Sequence, residues 1–308
     1  MFFIIGTGRC GTKLLRQMLI NHPKVKIIIE SHFLPMLYEK FGTENVSFRK
    51  FYDVIENHFD SAGNSWLLTI QKKEKLKIDN FQQNFEKYCE SINHKTIKDY
   101  YEAFASFLYG KGYYLGDKTP HYGTNMLMIK KIWKNAKFIH LTRDGIHTSI
   151  SMTKHRGFIK LINSKLSVEL LDKCHYNAQI QTFSDEKITL DKAVKFWKKI
   201  VKKIITDSKE IPNNDYLEIK FENLINDTSK TLYKIGSFLE LPEDNDWIKR
   251  SVLLPRAFYL FNQKSIIDSA EYDYYSSIIK EEQQYFGYPL DKKYYKINKL
   301  DFYRKIFQ

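Results

Sequence analysis

The stretch from Phe2 to Leu15, FFIIGTGRCGTKLL, limits the fold more than any other part of the chain. Its apolar run, Phe2 to Ile5, is too short for a helix and gives way to Gly6, Gly8 and Gly11. Apolar residues then recur at helical spacing, so the segment reads as strand, tight loop and helix. Glycine allows positive φ and close backbone approach, and the first N–H groups of a helix have no intrahelical partner. An anion fits such a loop, and a phosphate fits it best. Nucleotide triphosphatases share the glycine spacing of Gly6 and Gly11 but continue with Lys and then Ser or Thr. Here Thr12-Lys13-Leu14 follows, which displaces the lysine and leaves no magnesium-binding hydroxyl after it. For the loop alone, a glycine turn of purely structural role is the plainer alternative.

With 308 residues, 43% of them hydrophobic, the chain can bury a large core, and one domain spanning 1–308 is expected. The net charge of +13 suits an anionic cofactor, an acidic acceptor, nucleic acid or an anionic membrane surface. Abundant Lys, Asn and Ile throughout the chain account for that charge equally well. Cys10, Cys89 and Cys174 are odd in number and have no metal-ligand spacing, which points to a reducing compartment. Neither a secretory signal nor an apolar run of membrane-spanning length is visible, so the expected location is cytoplasmic.

Beyond the loop, residues 13–20 place Leu14, Leu15, Met18 and Leu19 on one helical face, and Asn21-His22-Pro23 ends the helix. Val25 to Ile29 is a buried strand candidate that ends in Glu30-Ser31-His32. A charged residue there, one βαβ step from a phosphate loop, lies where open α/β sheets bind ligands. Residues 34–110 read as a mostly helical insertion whose aromatic positions are chiefly core. A short strand, Tyr113 to Leu115, then leads into a polar turn, Gly116-Asp117-Lys118-Thr119-Pro120-His121-Tyr122. A helix from Asn125 to Trp133 and a strand from Ala136 to Thr142 follow. That strand delivers Arg143 ahead of a helix carrying Ser149 and Ser151. Residues 159–190 are loop-like and suit a cover over the site. Asp191 to Ile205 is a basic amphipathic helix whose lysines form a solvated face. Tyr216 to Lys220 is a further strand, followed by Phe221-Glu222-Asn223-Leu224 and a helix through Leu239.

These motifs, in this order from residue 2 to 239, resemble the sulfotransferases that use 3′-phosphoadenosine 5′-phosphosulfate (PAPS). Arg9-Cys10-Gly11-Thr12 resembles the family's 5′-phosphosulfate loop, with Arg9 for the commoner Lys and Cys10 for the commoner Ser. Arg143 and Ser151 have the spacing of its 3′-phosphate site. Phe221-Glu222-Asn223-Leu224 is similar to its Tyr-Glu-Asp-Leu stretch, with Phe221 lacking the hydroxyl, and GYPL at 287–290 is similar to a common ending. Within the family, Arg9 to Pro35 looks most like the tyrosylprotein sulfotransferases and related bacterial proteins: Arg16, His22-Pro23 and Glu30 keep the same spacing from Arg9.

The resemblance implies an α/β fold of P-loop type, three αβα layers around a mostly parallel sheet, with helical insertions. It implies in-line transfer of a sulfuryl group from PAPS to a hydroxyl acceptor, leaving 3′-phosphoadenosine 5′-phosphate (PAP). Gly8, Arg9, Cys10, Gly11, Thr12 and Lys13 would hold the 5′-phosphosulfate, Arg143 and Ser151 the 3′-phosphate, and Lys118 the leaving oxygen, with Arg9 stabilising the transferred group. Glu30 would be the general base, with His121 the alternative, because the small-molecule branch uses a histidine after its Lys-Thr. Arginine and lysine would supply the positive charge, with no metal. The Arg-Lys-Gly that cytosolic members use to finish the 3′-phosphate site is not evident; Arg250, Arg256 and Lys264 are candidates. The acceptor would be a peptide tyrosine, a carbohydrate, a lipid or a small alcohol, and nucleic acid is not the expected partner. The rivals are a P-loop small-molecule kinase and a non-catalytic basic protein that binds nucleic acid or lipid.

Overall fold

The computed structural model describes residues 1–74, 80–92, 94–255, 269–288 and 290. Five parallel strands form its sheet: β1 (Phe2–Ile5), β2 (Val25–Ile29), β3 (Tyr114–Lys118), β4 (Lys137–Thr142) and β5 (Tyr216–Lys220), in the order β2-β3-β1-β4-β5. All four residues of β1 are buried, because a central parallel strand is covered on both faces and reads as one unbroken apolar run. Its side chains alternate between two cores. Phe3 and Ile5 enter one with Phe138 and Trp197, while Phe2 and Ile4 enter the other with Leu14, Met18 and Trp247. Helices thus cover both faces, giving the expected three layers.

On the second face, α1 (Thr12–Leu19) buries Leu14, Leu15, Met18 and Leu19. Its C-terminal end is held by His22, whose Nε2 bonds Pro242 O at 3.0 Å and whose ring packs edge-on against Trp247. Between β2 and β3 lie α2 (Leu34–Phe41), α3 (Phe48–Glu56), α4 (Trp66–Lys73), α5 (Phe81–Cys89) and α6 (Ile97–Tyr109). Their aromatic residues are mainly core, as the Phe51–Tyr100 stack at 5.0 Å illustrates. Trp66 Nε1 donates to Ile29 O at 3.0 Å, which ties these helices to the end of β2.

Two boundaries differ from those expected. Gly116-Asp117-Lys118, read as a turn, belongs to β3; Gly116 faces the Phe2 ring, which would lie 2.4 Å from any added Cβ, and Asp117 is buried with its carboxylate satisfied locally. The remaining turn residues form a 3₁₀ segment, Pro120–Asn125, before α7 (Met126–Ile132). Residues 159–190 begin inside a helix, for α8 (Gly145–Thr153) is followed by α9 (Arg156–Asn163) and then by short 3₁₀ turns.

α10 (Leu190–Ser208) is capped by Thr189, whose side chain accepts from Lys192 N. It buries Val194, Trp197, Ile200, Val201 and Ile204 and exposes Lys192, Lys195, Lys199 and Lys202, as the amphipathic pattern requires. After β5 come α11 (Phe221–Asn226), α12 (Thr228–Leu239), α13 (Asn245–Val252), α14 (Ser269–Ile278) and α15 (Lys280–Tyr285).

One core residue makes stability depend on pH. His140 in β4 is 1% exposed, bonds Tyr216 Oη through Nδ1 at 2.6 Å, and is pushed down to about 3 by burial. Its folded pKa lies below the unfolded value, so its contribution is fully present above pH 6.5 and is lost as pH falls below it. Urea denaturation is expected to show wild type losing about 1.5 kcal/mol more than His140→Gln between pH 6.5 and 5. Equal slopes would contradict this assignment.

Candidate active site

The strands end on one edge of the sheet and deliver the glycine loop, Glu30, Lys118, Arg143 and Phe221 there. Gly6 N donates to Pro120 O at 3.0 Å, which joins the loop to the segment after β3. Gly8 (φ +74°) and Gly11 (φ +102°) occupy left-handed backbone, and each is closed over by a ring. A Cβ at Gly8 would lie 2.3 Å from Phe158, and one at Gly11 would lie 2.3 Å from Phe221. Gly11 caps α1 with no side-chain hydrogen bond, and the first turn holds no acidic residue. The N–H groups of that turn therefore point outward with their partial positive charge uncompensated by a carboxylate. Thr12 is buried, Lys13 exposed, and Cys10 wholly buried with its thiol pushed up by burial, so Cys10 serves the loop through its backbone and its packing.

Three groups assigned to different phosphates meet beside this loop. Arg9 Nε donates to Ser151 Oγ at 3.1 Å, and Arg143 Nη1 donates to Arg9 O at 3.3 Å. The Arg143 guanidinium lies 4.7 Å from the centre of the Phe221 ring, so phenylalanine, in place of the family's tyrosine, seats the arginine through a cation–π contact. Burial, and then the neighbouring Arg143 charge, lower the Arg9 pKa. Two guanidinium groups held this close leave a positive potential that an anion relieves. Ser149 faces away: its hydroxyl donates to Gly145 O within α8.

The ends of β2 and β3 supply the opposite charge pair. Ile29 and Lys118 are in register; Glu30 N donates to Lys118 O at 2.9 Å, and Lys118 Nζ donates to Glu30 Oε1. The Lys118 side chain is 4% exposed and that of Glu30 47%, so the carboxylate reaches solvent while the ammonium lies beneath it. Partial burial opposes ionisation of Glu30, but the adjacent Lys118 ammonium holds its carboxyl well below the usual carboxylate range. Glu30 (φ 40°) and His32 (φ 55°) both have left-handed backbone. A buried network over-determines that shape. Ser31 N donates to Thr119 Oγ1 at 2.9 Å, the Thr119 hydroxyl donates to Asp117 Oδ1 at 2.6 Å, and Ser31 Oγ bonds Tyr122 Oη at 2.6 Å. The Tyr101 hydroxyl completes it by donating to Asp117 Oδ2.

Histidines line the neighbouring wall. His121 is 4% exposed, packs edge-on against Phe158 and is pushed down to about 4 by burial. His32 Nδ1 lies 2.6 Å from Asp172 Oδ1, and its ring stacks on His175 at 4.0 Å. Asp172 and His175 carried no sequence signal, because their segment showed no motif, and Phe158 lay just before it, outside any motif.

Other motif residues are structural. Arg16 donates through Nε and Nη2 to Ile27 O and pairs with Glu74 at 2.7 Å. Arg250 donates to Asn21 O at 2.9 Å, beyond the C-terminal end of α1 and thus at the opposite end of that helix from the loop. It is removed from the candidates for the 3′-phosphate. Arg256 and Lys264 lie outside the described residues. Tyr288 of the GYPL sequence donates to Glu222 Oε2 at 2.8 Å and so fixes the start of α11; Pro289 lies outside the described residues.

A sequence model described as "Sulfotransferase family" matches residues 2–246. The chain belongs to that family. Among solved structures, this sulfotransferase is similar to the sulfotransferase domain from the curacin biosynthetic pathway, at 17% identity, TM-score 0.57, and coverage of 94% of this chain and 98% of that one. It is also similar to the sulfotransferase domain of the Synechococcus PCC 7002 olefin synthase, at 21% identity, TM-score 0.51, and coverage of 94% and 95%. At these identities the likeness bears on the fold, and the five-stranded parallel sheet flanked by helices is the sulfotransferase fold. Comparison with curated protein sequences finds no match. No helix among the described residues of this sulfotransferase is long and apolar enough to cross a membrane.

Proposed function

We propose that this enzyme moves the sulfuryl group of PAPS to a hydroxyl acceptor by in-line transfer, with Glu30 as general base. The supporting observation is the meeting of Arg9, Arg143 and Ser151 beside an uncapped helix N-terminus, next to the Glu30–Lys118 pair. The N–H groups of residues 10–13, with Arg9, Thr12 and Lys13, would hold the 5′-phosphosulfate, its backbone passing over Gly8 and Gly11. Arg143 and Ser151 would hold the 3′-phosphate. Arg9 touches both and so links the two halves of the cofactor site.

The Glu30–Lys118 pair is the resting arrangement. With PAPS bound, Lys118 would turn from Glu30 to the leaving 5′-phosphate oxygen, and Glu30 would become available to the acceptor. The acceptor hydroxyl gives its proton to Glu30 while its oxygen attacks sulfur. The sulfur–oxygen bond to the 5′-phosphate breaks, and its electron pair leaves with PAP. Lys118 gains interaction as negative charge develops on that oxygen, which is the differential stabilisation catalysis needs. Holding attacking oxygen, sulfur and leaving oxygen in line supplies the rest, as in phosphoryl transfer. His121 is the weaker choice of base, being nearly sealed from solvent where Glu30 is half exposed.

The kinase alternative would place Lys and then Ser or Thr after Gly11 and an acidic strand end for magnesium; this chain places Thr12 and Arg143 there. The acceptor is a hydroxyl compound of peptide, carbohydrate, lipid or small-alcohol class. Incubating the enzyme with ³⁵S-labelled PAPS and a cell extract, then resolving products by mass spectrometry, is expected to yield new sulfate esters that require the enzyme. Phosphate transfer from ATP with magnesium, and none from PAPS, would contradict the proposal.

A further inference from the structure

We propose that His32, His121 and Asp172 form a binding site for a divalent first-row transition ion, with zinc the ion their donor set suits best. The three residues arrive from separate places: the loop after β2, the 3₁₀ segment after β3, and the cover segment between α9 and α10. One donor atom from each lies within 4.8 Å of the other two. Donors around tetrahedral zinc, bonded at about 2.0–2.1 Å, are about 3.4 Å apart, so binding asks for shifts of the order of 1 Å, including opening of the 2.6 Å contact between His32 Nδ1 and Asp172 Oδ1. Two imidazole nitrogens and a carboxylate oxygen are the ligand types that zinc and its neighbours take.

Burial supplies the reason for a ligand here. Asp172 is 0% exposed and His121 4%, while both ring nitrogens of His121 and Oδ2 of Asp172 have no hydrogen-bond partner among the described residues. A buried carboxylate with one oxygen unpartnered and an imidazole with two idle nitrogens are each costly. One cation relieves both, giving Asp172 a counter-charge and His121 a bond. His32 is already oriented for it: its ring lies flat on His175, which is itself fixed by a 2.8 Å bond between Nδ1 and Phe59 O. The anchored His175 ring thus fixes the plane of the His32 imidazole.

The ion would fasten the cover segment to the ends of β2 and β3 and so shape the wall next to Glu30. Sulfuryl transfer would still draw its positive charge from arginine and lysine. This site stands or falls separately from the PAPS proposal, because its test reads metal content.

Full-length protein, stripped with chelator, is incubated with zinc, freed of unbound metal by gel filtration and assayed by elemental mass spectrometry. About one zinc per chain is expected for wild type, falling to background in His121→Asn and Asp172→Asn. Cobalt in place of zinc is expected to give the visible absorption of a low-coordinate site in wild type alone. Far-UV circular dichroism and PAP binding establish that the variants are folded. The wild-type protein also decides without them, since zinc is expected to raise its melting temperature in a concentration-dependent way. Wild type that retains no zinc, or folded variants that retain as much as wild type, would overturn the proposal; in the first case a proton shared by His32 and Asp172 suffices.

Discussion

Replacing Glu30 with Gln is expected to slow sulfuryl transfer by about 10²- to 10⁴-fold, the usual contribution of a general base. The substitution keeps the shape of the side chain and removes its capacity to take a proton. Glu30 sits just past β2 beside Lys118, with its backbone held in a left-handed conformation by the network through Ser31, Thr119 and Asp117. PAP affinity is expected to hold, because the residues assigned to the cofactor phosphates lie on the loop, just after β4 and on α8. Transfer from labelled PAPS under single-turnover conditions, with PAP binding measured in parallel, checks both halves. Near-normal transfer would remove Glu30 from the role. A collapse in His121→Ala with full transfer in Glu30→Gln would reassign the base, provided the zinc content of each variant is measured alongside.

The second large effect belongs to Arg143. Arg143→Ala is expected to weaken PAP binding by about 10- to 150-fold, the value of a hydrogen bond to a charged group at about 1.5–3 kcal/mol. The loss includes the seat of Arg9, since Arg143 bonds its carbonyl and Arg9 in turn bonds Ser151. Arg143→Lys restores the charge but neither the planar fork nor the stacking over Phe221, so it is expected to recover only part of the affinity. Calorimetric titration separates these cases; unchanged affinity in Arg143→Ala would place the 3′-phosphate elsewhere.

The glycine loop, strands β1, β2, β4 and β5 and the amphipathic face of α10 were legible because each depends on a local pattern: an apolar run, a 3.6-residue period, or glycine where φ is positive; β3 was legible only at its start, because Gly116-Asp117-Lys118 read as a turn. The Glu30–Lys118 pair was half legible. Both residues stood out at strand ends, but their contact follows from β2 and β3 being neighbours in register, which is a property of sheet order. Phe221 shows a different limit. As a sequence difference it read as a lost hydroxyl, whereas in the structure it closes Gly11 and supports Arg143. Phe158, Asp172 and His175 were not legible at all, since their positions depend on how the segment after α8 folds back over the loop. Arg250 shows the opposite error: a basic residue weighed for the 3′-phosphate whose hydrogen bond goes to a backbone carbonyl.

The central claim is that the loop, Arg9, Arg143 and Ser151 make one site for the two phosphates of PAP. Isothermal titration of the wild-type protein with PAP, and separately with ATP and magnesium, tests it most directly. The expected result is one PAP bound per chain, more tightly than ATP–magnesium and with affinity that falls as salt rises, as charge pairing with two phosphates requires. Saturable binding of ATP–magnesium with none of PAP would contradict it.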